Sequence, residues 1–339
     1  MNAVAGGALA AETHNAGGVG FIGASHKGRE LLEKEVGIAR ERLGLAEREE
    51  LPLGAGLVLW RFEPPFARSA SAGLAEATLW LRYILFVARV RHLWLSFSSE
   101  GAAGLEKWVG VVRQLERDGP KKEDGERERK ERVKVWTMVA SEEAGRQARE
   151  WDVDAVVAQG TEAGGHGPTY ASGSPLLPLL RSLSPLYPPV SPPFLLAAGG
   201  LASPASISSA LSSGASGAVI GTALEVALES LLPPAQKDLL VRAKSAEETD
   251  RGIKWDIARD GRNVWPGGVD GRALRNVTSR EEIEEGGEEW AHERYKKAVE
   301  EKDVERVVTW AGTGVGDISS IRPAREIVQE LMGEKAGKL

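Results

Sequence analysis

Cysteine is absent from this chain of 339 residues. Its absence excludes disulfide bonds, zinc sites that use thiolates and a cysteine nucleophile. An excess of basic residues is also absent, because 43 lysines and arginines stand against 49 aspartates and glutamates, which gives a net charge of −6. The chain therefore lacks the basic footprint of a nucleic-acid-binding protein, and we expect no nucleic-acid partner.

Long apolar runs are missing as well. No run reaches the roughly 18 residues that span a bilayer, so we expect no membrane partner. The N-terminus has neither the basic stretch nor the long apolar stretch of a secretory signal, which favours an intracellular, cytoplasmic protein. No cluster of histidines and carboxylates has the spacing of metal ligands, so we expect no metal site. The sequence leaves the oligomeric state open.

Apolar segments alternate with amphipathic helical patterns through residues 1–232. Seven of these apolar segments are typical of strands that are buried on both faces, as parallel strands are. They are residues 18–24, 52–60, 92–97, 133–140, 155–160, 194–200 and 215–222. A helical pattern follows each of them, and such alternation predicts a parallel sheet with helical crossovers.

A closed parallel barrel has eight strands, one more than this count. Because a helical pattern at residues 3–12 precedes the first predicted strand, the missing strand would be the first of the barrel. Two architectures fit the pattern, a TIM (β/α)8 barrel that lacks its first strand and an open doubly wound sheet. The alternation ends at Pro233, and we expect residues 233–339 to form a C-terminal helical appendage packed on residues 1–232.

Residues 121–132 carry an unusual density of charge. Eleven of the twelve are charged, six of them basic and five acidic. Because the two signs nearly cancel, we interpret this segment as a solvated loop insertion rather than as an interaction arm.

The strongest candidate for a functional site is the stretch Val156–Gly167, with the sequence VVAQGTEAGGHG. A buried strand ends there at Gln159 and leads into a loop with four glycines, which let the backbone approach a ligand closely. His166 is the one side chain of this loop whose charge normally changes near neutral pH, so it is a candidate base. The alternative is a histidine that is only hydrogen-bonded in an ordered loop. We interpret Glu162 as solvated rather than as a residue that orients the loop.

Two later strands also end in glycines, at Gly199-Gly200 and at Gly221-Thr222. The carboxyl ends of parallel strands meet at one end of a barrel, where the loops after the last two strands often bind phosphate. Ser203 is a predicted cap of the helix that follows the first pair. The alternative is that these glycines serve only as tight turns. Residues 312–316, GTGVG, match half of a nucleotide-binding fingerprint, which is a weak signal without a preceding strand.

The motifs together resemble one enzyme family. Residues 158–166, AQGTEAGGH, resemble the signature of the nitronate monooxygenases, formerly called 2-nitropropane dioxygenases. Residues 197–201 and 217–222 are similar to the phosphate-binding segments of that family, and residues 265–272 and 311–316 to its fungal-type tail. The similarity extends over nearly the whole chain.

This resemblance implies a TIM barrel that binds FMN non-covalently. It implies the oxidation of a small alkyl nitronate or nitroalkane by O₂ to a carbonyl compound and nitrite, without NAD(P)H. His166 would be the base that takes the α-proton from a neutral nitroalkane, and the flavin would supply the redox chemistry. The residues expected to contact the flavin or its phosphate are Met1, Gly56, Gln159, Gly160, Gly165, Gly199, Gly200, Gly221 and Thr222.

Two departures from the family pattern affect flavin binding. The family begins with a strand that ends in Ala-Pro-Met, and Met1 matches that Met, so the first strand is expected to be absent. A barrel without one strand has two unpaired parallel edges, which is expected to weaken flavin retention. Met138 stands where the family often has a polar flavin contact. The alternatives to a nitronate monooxygenase are a flavin-dependent enoyl-acyl-carrier-protein reductase and a catalytically silent barrel.

Overall fold

The structure is a computed structural model that describes residues 4–23, 28–121, 125–280 and 283–333. The predicted flavin contact Met1 lies outside the described residues. The described residues form ten strands: β1 (Phe21–Gly23), β2 (Leu51–Val58), β3 (Val90–Ser96), β4 (Lys134–Val139), β5 (Ala155–Gln159), β6 (Gly165–Pro168), β7 (Phe194–Ala198), β8 (Gly217–Val219), β9 (Thr249–Gly252) and β10 (Val269–Leu274). The α-helices are α1 (Gly7–Asn15), α2 (Arg29–Leu43), α3 (Ala70–Arg82), α4 (Gly101–Asp118), α5 (Glu142–Ala148), α6 (Leu176–Leu183), α7 (Pro204–Ser212), α8 (Thr222–Glu225), α9 (Pro234–Arg242), α10 (Lys254–Asp260), α11 (Val277–Arg280), α12 (Ile283–Glu301) and α13 (Ala324–Leu331).

Seven strands form one parallel sheet in the order β1-β2-β3-β4-β5-β7-β8. Every neighbouring pair in this sheet is parallel. All seven predicted strands are confirmed, with bounds that differ by a few residues. Helices connect the successive strands and pack on one face of the sheet, where Leu93, Val135 and Val156 are fully buried. The sheet is therefore the curled sheet of a TIM barrel, as predicted.

The two edge strands of this sheet define a seam. Within the described residues β1 pairs only with β2, and β8 pairs only with β7. The first described residues lie at the end of the seam, because Gly23 N donates to Ala5 O at 2.9 Å and Leu231 N donates to Val4 O at 3.0 Å. A seven-stranded sheet with two unpaired edges agrees with a barrel that lacks its first strand.

Aromatic side chains fill part of the inner face of the sheet. The ring centroids of Phe21 and Trp136 are 4.9 Å apart, and those of Phe21 and Trp94 are 5.6 Å apart. Trp136 Nε1 donates to His92 Nδ1 at 3.2 Å. Burial lowers the pKa of His92 to about 4, so this histidine packs as a neutral ring. Large rings occupy here the interior that layers of branched aliphatic side chains usually fill in a TIM barrel.

One helical segment has the length and composition of a membrane span. Helix α3 continues as a π-helical turn, Tyr83–Val87, and the 18 residues Ala70–Val87 have a mean hydropathy of 1.2. Leu81, Ile84 and Leu85 are fully buried and belong to the same hydrophobic core as residues of β2 and β3. The apolar character of the helix therefore serves, at least on this face, to pack it against the sheet.

The charged segment 121–132 is irregular where it is described, but it is not solvated throughout. Glu126 is buried and forms an ion pair with Arg82, which lies on α3. Arg129 Nη1 donates to Leu85 O at 3.0 Å. The prediction of a solvated insertion was therefore wrong for these charges, because local charge balance does not reveal a partner forty residues away in sequence.

The part of the chain after residue 232 contains strands that the sequence analysis did not predict. Strand β10 pairs antiparallel with β9 and with β6, so that Gly271 lies opposite His166. Residues 165–168 therefore form a strand rather than part of a loop. The helical pattern predicted after the last parallel strand forms only the short helix α8. The division of the chain at residue 232 stays a prediction, although β6 and β10 join the two parts in one sheet.

Candidate active site

A cavity of about 520 Å³ lies at the carboxyl ends of the parallel strands. This volume is within the usual range for sites that bind small molecules and cofactors. Its wall contains eight of the ten predicted site residues: Gly56, Gln159, Gly165, His166, Gly199, Gly200, Gly221 and Thr222. The strand ends that the sequence analysis expected to converge therefore do converge on one cavity.

Gly160 is the predicted site residue that the structure places elsewhere. It does not line the cavity, and a Cβ on Gly160 would lie only 2.6 Å from the Cβ of Leu176. Its N–H donates to Ala198 O at 2.9 Å. The lack of a side chain thus allows the loop to pass close to the start of α6, which is a structural requirement rather than a contact with the cavity.

The cavity wall after β7 and β8 is a cradle of exposed backbone. Gly199 and Gly200 have φ values of +121° and +69°, which favour glycine. A Cβ on Gly221 would meet no atom within 4 Å, so a side chain there would project into open space along the cavity wall. Ser203 caps the N-terminus of α7 by accepting from Ser206 N, as predicted. The cradle suits a flat or phosphorylated ligand that approaches the main chain.

His166 also lines this cavity. Its Nε2 is 2.8 Å from Oδ1 of Asp256, whose side chain is completely buried. Its ring stacks on Trp265 with 3.6 Å between centroids and 12° between planes, and the ring of Trp310 lies 4.7 Å away. Gln159 Nε2 donates to His166 O at 3.1 Å. Both the backbone and the ring of the histidine are thus held in one orientation.

The surroundings of His166 set its protonation. Burial lowers its pKa below the ordinary value, and the hydrogen bond to Asp256 opposes this effect only in part. The ring is therefore neutral near pH 7. Because a carboxylate only accepts hydrogen bonds, Nε2 carries the proton and Nδ1 has the free lone pair. A neutral imidazole with one nitrogen fixed by a carboxylate is suited to accept a proton at the other nitrogen.

The helix α10 supplies two charged residues to the site. Asp256 Oδ1 accepts from His166 and also from Arg259 Nη2, the latter at 2.9 Å. Trp310 packs beside them because Gly271 has no side chain: a Cβ there would lie 2.3 Å from the indole ring. The site roles of these residues were not predicted from the sequence, since only the pairing of β6 with β10 brings them to His166. Their one local signal is the i,i+3 spacing of Asp256 and Arg259 on a helix beside tryptophans.

Two buried arginines hold the glycine loop from the side of β9 and β10. Arg251 Nη2 donates to Ala163 O at 2.6 Å, and Arg272 Nη2 donates to Thr161 O at 3.0 Å. Thr313 N in turn donates to Glu162 O at 3.0 Å. Residues 312–316 therefore pack on the glycine loop and do not form a nucleotide-binding fingerprint of their own.

Glu162 is also engaged, contrary to the interpretation of this residue as solvated. Its two carboxylate oxygens accept from Leu176 N at 3.1 and 3.0 Å, at the N-terminus of α6. A carboxylate is favourable at that position because it satisfies a free N–H and complements the helix dipole. Glu162 thus orients the loop, and solvation was the wrong alternative.

Glu225 is the acidic side chain of the cavity wall. Burial raises its pKa to about 7, so it is partly protonated at neutral pH. It lies one helical turn after Thr222, whose Oγ1 accepts from Gly312 N at 3.0 Å. Among the residues that the structure describes, no group of three or more histidines, aspartates and glutamates is arranged to hold a metal ion.

Fold and site together define a TIM-barrel protein with a cavity at its glycine-ended strands. A model of the nitronate monooxygenase family matches residues 1–334. The nitronate monooxygenase of Neurospora crassa is 30% identical over 98% of this chain and 87% of its own length. The nitronate monooxygenase npaC of Metarhizium robertsii is 27% identical over 97% of this chain and 87% of its own length. The chain belongs to the nitronate monooxygenase family, a family of flavin-dependent oxidoreductases.

Solved structures agree on the fold. FabK from Thermotoga maritima has a TM-score of 0.70 and 24% identity, covering 98% of this chain and 90% of its own. The nitroalkane oxidase of Streptomyces ansochromogenes has a TM-score of 0.69 and 22% identity, covering 98% and 93%. At these identities the likeness establishes a shared fold.

Proposed function

We propose that this enzyme oxidises small alkyl nitronates with O₂ to a carbonyl compound and nitrite, with FMN as its flavin. His166 is the base that converts a neutral nitroalkane into the nitronate. The observation that carries the proposal is a neutral, buried imidazole at the cavity wall whose Nε2 is held by Asp256 at 2.8 Å. Membership of the nitronate monooxygenase family supports the same reaction.

The residues of the cavity fit FMN. Gly56, Gln159 and Gly165 would contact the flavin, while the phosphate would lie along Gly199, Gly200, Gly221 and Thr222. The open space at Gly221 leaves room for a phosphate against the main chain, and the floor of the cavity includes the apolar side chains of Trp94 and Met138. When bound, the flavin supplies the electron transfer and the reaction with O₂ that no side chain can perform.

The protein's own side chains carry out the transfer of the α-proton. Nδ1 of His166 accepts the α-proton of the nitroalkane, and the resulting imidazolium is stabilised by the negative charge of Asp256. Stacking on Trp265 fixes the plane of the imidazole ring, so Nδ1 keeps the same orientation during the proton transfer. A preformed nitronate has already lost this proton and does not need the base.

His166→Asn tests this division of labour. We expect turnover of neutral nitroalkanes to fall by roughly 10²-fold or more, the usual contribution of a general base. Oxidation of preformed nitronate should keep much of its rate, because that substrate bypasses the proton transfer. The measurement is steady-state oxygen consumption with nitroethane and with ethyl nitronate.

His14→Asn, on α1, is the matched control and should change neither rate. An equal loss on both substrates would show that His166 is not the proton acceptor. Anaerobic mixing of the enzyme with NADPH or with nitronate distinguishes the proposed function from the enoyl reductase alternative. A reductase would have its flavin bleached by NADPH and not by nitronate. The cytoplasmic location stays a prediction.

A further inference from the structure

We propose that Arg259 is the anion-binding residue of the cavity and that it gives the enzyme its affinity for the nitronate anion. This inference rests on the proposed function, since it concerns the substrate of the same site. It assigns to Arg259 a direct contact with the substrate, in addition to its ion pair with Asp256.

One edge of the Arg259 guanidinium is occupied, and the other is available. Nε donates to the carboxylate of Asp260 at 3.1 Å, and Nη2 donates to Asp256 Oδ1 and to Asp260 Oδ2, at 2.9 and 2.7 Å. Nη1 has no hydrogen-bond partner among residues 4–23, 28–121, 125–280 and 283–333. The side chain is 26% exposed and lines the cavity, so its free N–H groups have space for a ligand.

The charge pattern of the cavity points to an anion at this position. Arg259 is the only arginine or lysine in the described part of the cavity wall, and Glu225 is the only acidic residue there. The carboxylate of Asp260 is partly exposed, which weakens its effect on a charge inside the cavity. The carboxylate of Asp256 accepts a hydrogen bond from His166 Nε2 as well as one from Arg259, so its negative charge is divided between two partners. An anion beside His166 would therefore have Arg259 as the positively charged side chain of the described cavity wall.

The geometry of the substrate matches that of arginine. A nitronate carries its negative charge on two oxygens of one planar group, as a carboxylate does, and guanidinium groups bind such pairs of oxygens well. Arg259 is also fixed in place, because its guanidinium lies 5.6 Å from the ring centroid of Trp310, which in turn contacts His166. The same rings therefore position the base and the anion-binding group.

Arg259→Gln tests the proposal with two readouts. Loss of a charged hydrogen bond should raise KM for ethyl nitronate about tenfold or more, with a smaller change in kcat. Nitrate is a planar anion that cannot be oxidised here, and its dissociation constant, measured by calorimetry on the purified flavin-loaded protein, should rise by a similar factor. Arg259→Lys retains the positive charge but not the planar guanidinium that can donate two parallel hydrogen bonds. Its KM for ethyl nitronate and its nitrate dissociation constant should lie between those of the wild type and Arg259→Gln.

Asp256→Asn separates direct binding from an indirect effect. This change removes the partner of Arg259 but leaves the cation in the cavity, so nitrate should bind within about threefold of the wild-type affinity. If both variants lose nitrate affinity equally, Arg259 acts only through Asp256 and the proposal is wrong. It is also wrong if Arg259→Gln leaves both constants unchanged.

Arg262→Gln is the charge-matched control, since Arg262 is exposed and does not line the cavity. It should leave the KM for nitronate and the nitrate affinity unchanged; a rise of both equal to that of Arg259→Gln would mean that only net charge matters and would overturn the proposal. Failure of the wild type to oxidise nitronate would refute the proposed function, whereas the nitrate titration would still test Arg259.

Discussion

Single residues of this site have properties that depend on remote partners. His166 could be predicted as a base because it stands alone among glycines after a buried strand. Asp256 could not, because it is 90 positions away and nothing local marks it as the partner of that histidine. Glu225 was missed for a similar reason, since its raised pKa comes from burial in a cavity that only the folded chain creates. A sequence shows which residue types are present, but not the burial and the partners that shift their pKa values.

Glu225 leads to a prediction about pH. Its pKa of about 7 means that it gains negative charge between pH 6 and pH 8, close to the proposed phosphate contacts at Gly221 and Thr222. Repulsion of the phosphate should therefore make FMN dissociate more readily as pH rises. Glu225→Gln should bind FMN more tightly than the wild type at pH 8 and nearly equally at pH 6.

The measurement is the dissociation constant of FMN from fluorescence quenching at the two pH values. The comparison between the two proteins cancels the titration of the phosphate itself. Glu247→Gln, at an exposed position, is the control and should behave as the wild type at both values. A wild-type protein and a Glu225→Gln variant with parallel pH profiles would contradict this role for Glu225.

At the scale of elements, the repeating strand–helix units could be predicted from the sequence, whereas the three antiparallel strands could not. The seven parallel strands were predictable because apolar runs and helical patterns alternate many times. Strands β6, β9 and β10 are short, rich in glycine and charge, and pair antiparallel outside the barrel. Their sequences therefore show no alternation of apolar and polar residues that would predict a strand. The charges that made them resemble loops are the arginines that hold the glycine loop.

Arg272 gives the prediction at this scale. Arg272→Met should leave Thr161 O without its buried donors, which costs about 1–3 kcal/mol of the free energy of unfolding. The loop beside the cavity should loosen, and the protein should be purified with less flavin. The flavin-to-protein absorbance ratio and urea unfolding measure the two effects.

Arg275→Met is the matched control, because Arg275 is exposed and donates to Thr249 O rather than to the glycine loop. It should keep the flavin content of the wild type. Full flavin retention in Arg272→Met would mean that the loop does not depend on this arginine.

At the scale of the whole molecule, the seam between β1 and β8 is the main departure from a closed barrel. The curled sheet and its direction followed from the sequence pattern, and the seam in the described sheet followed from the count of seven strands and from the resemblance to the family. How the interior adapts did not follow, because the packing of Phe21, Trp94 and Trp136 depends on which residues of separate strands face inward together. A seam of this kind leaves backbone groups of both edges unpaired.

A strand added before residue 1 tests the importance of the seam. We expect a longer chain with an eight-residue apolar strand upstream to pair with β1 and β8 and to raise FMN occupancy, since a closed sheet excludes water from the cavity floor. Occupancy is measured by flavin absorbance after purification in the presence of FMN. A proline-rich extension of equal length is the control. Equal occupancy in the three chains would show that the open edges do not limit flavin binding.

The pairing of β6 with β10 has a consequence for how such an enzyme can change over generations. The glycine cradle is encoded before residue 222, while Asp256, Arg259 and Trp265 are encoded after residue 250. A chimera that joined this barrel to the tail of a distant relative would keep the glycine cradle and His166 but lose Asp256 and Arg259, the residues proposed to hold the histidine and to bind the anion. Because Arg272 holds the glycine loop and Asp256 holds His166, flavin binding and proton transfer as proposed here would both depend on contacts between these two stretches of the gene.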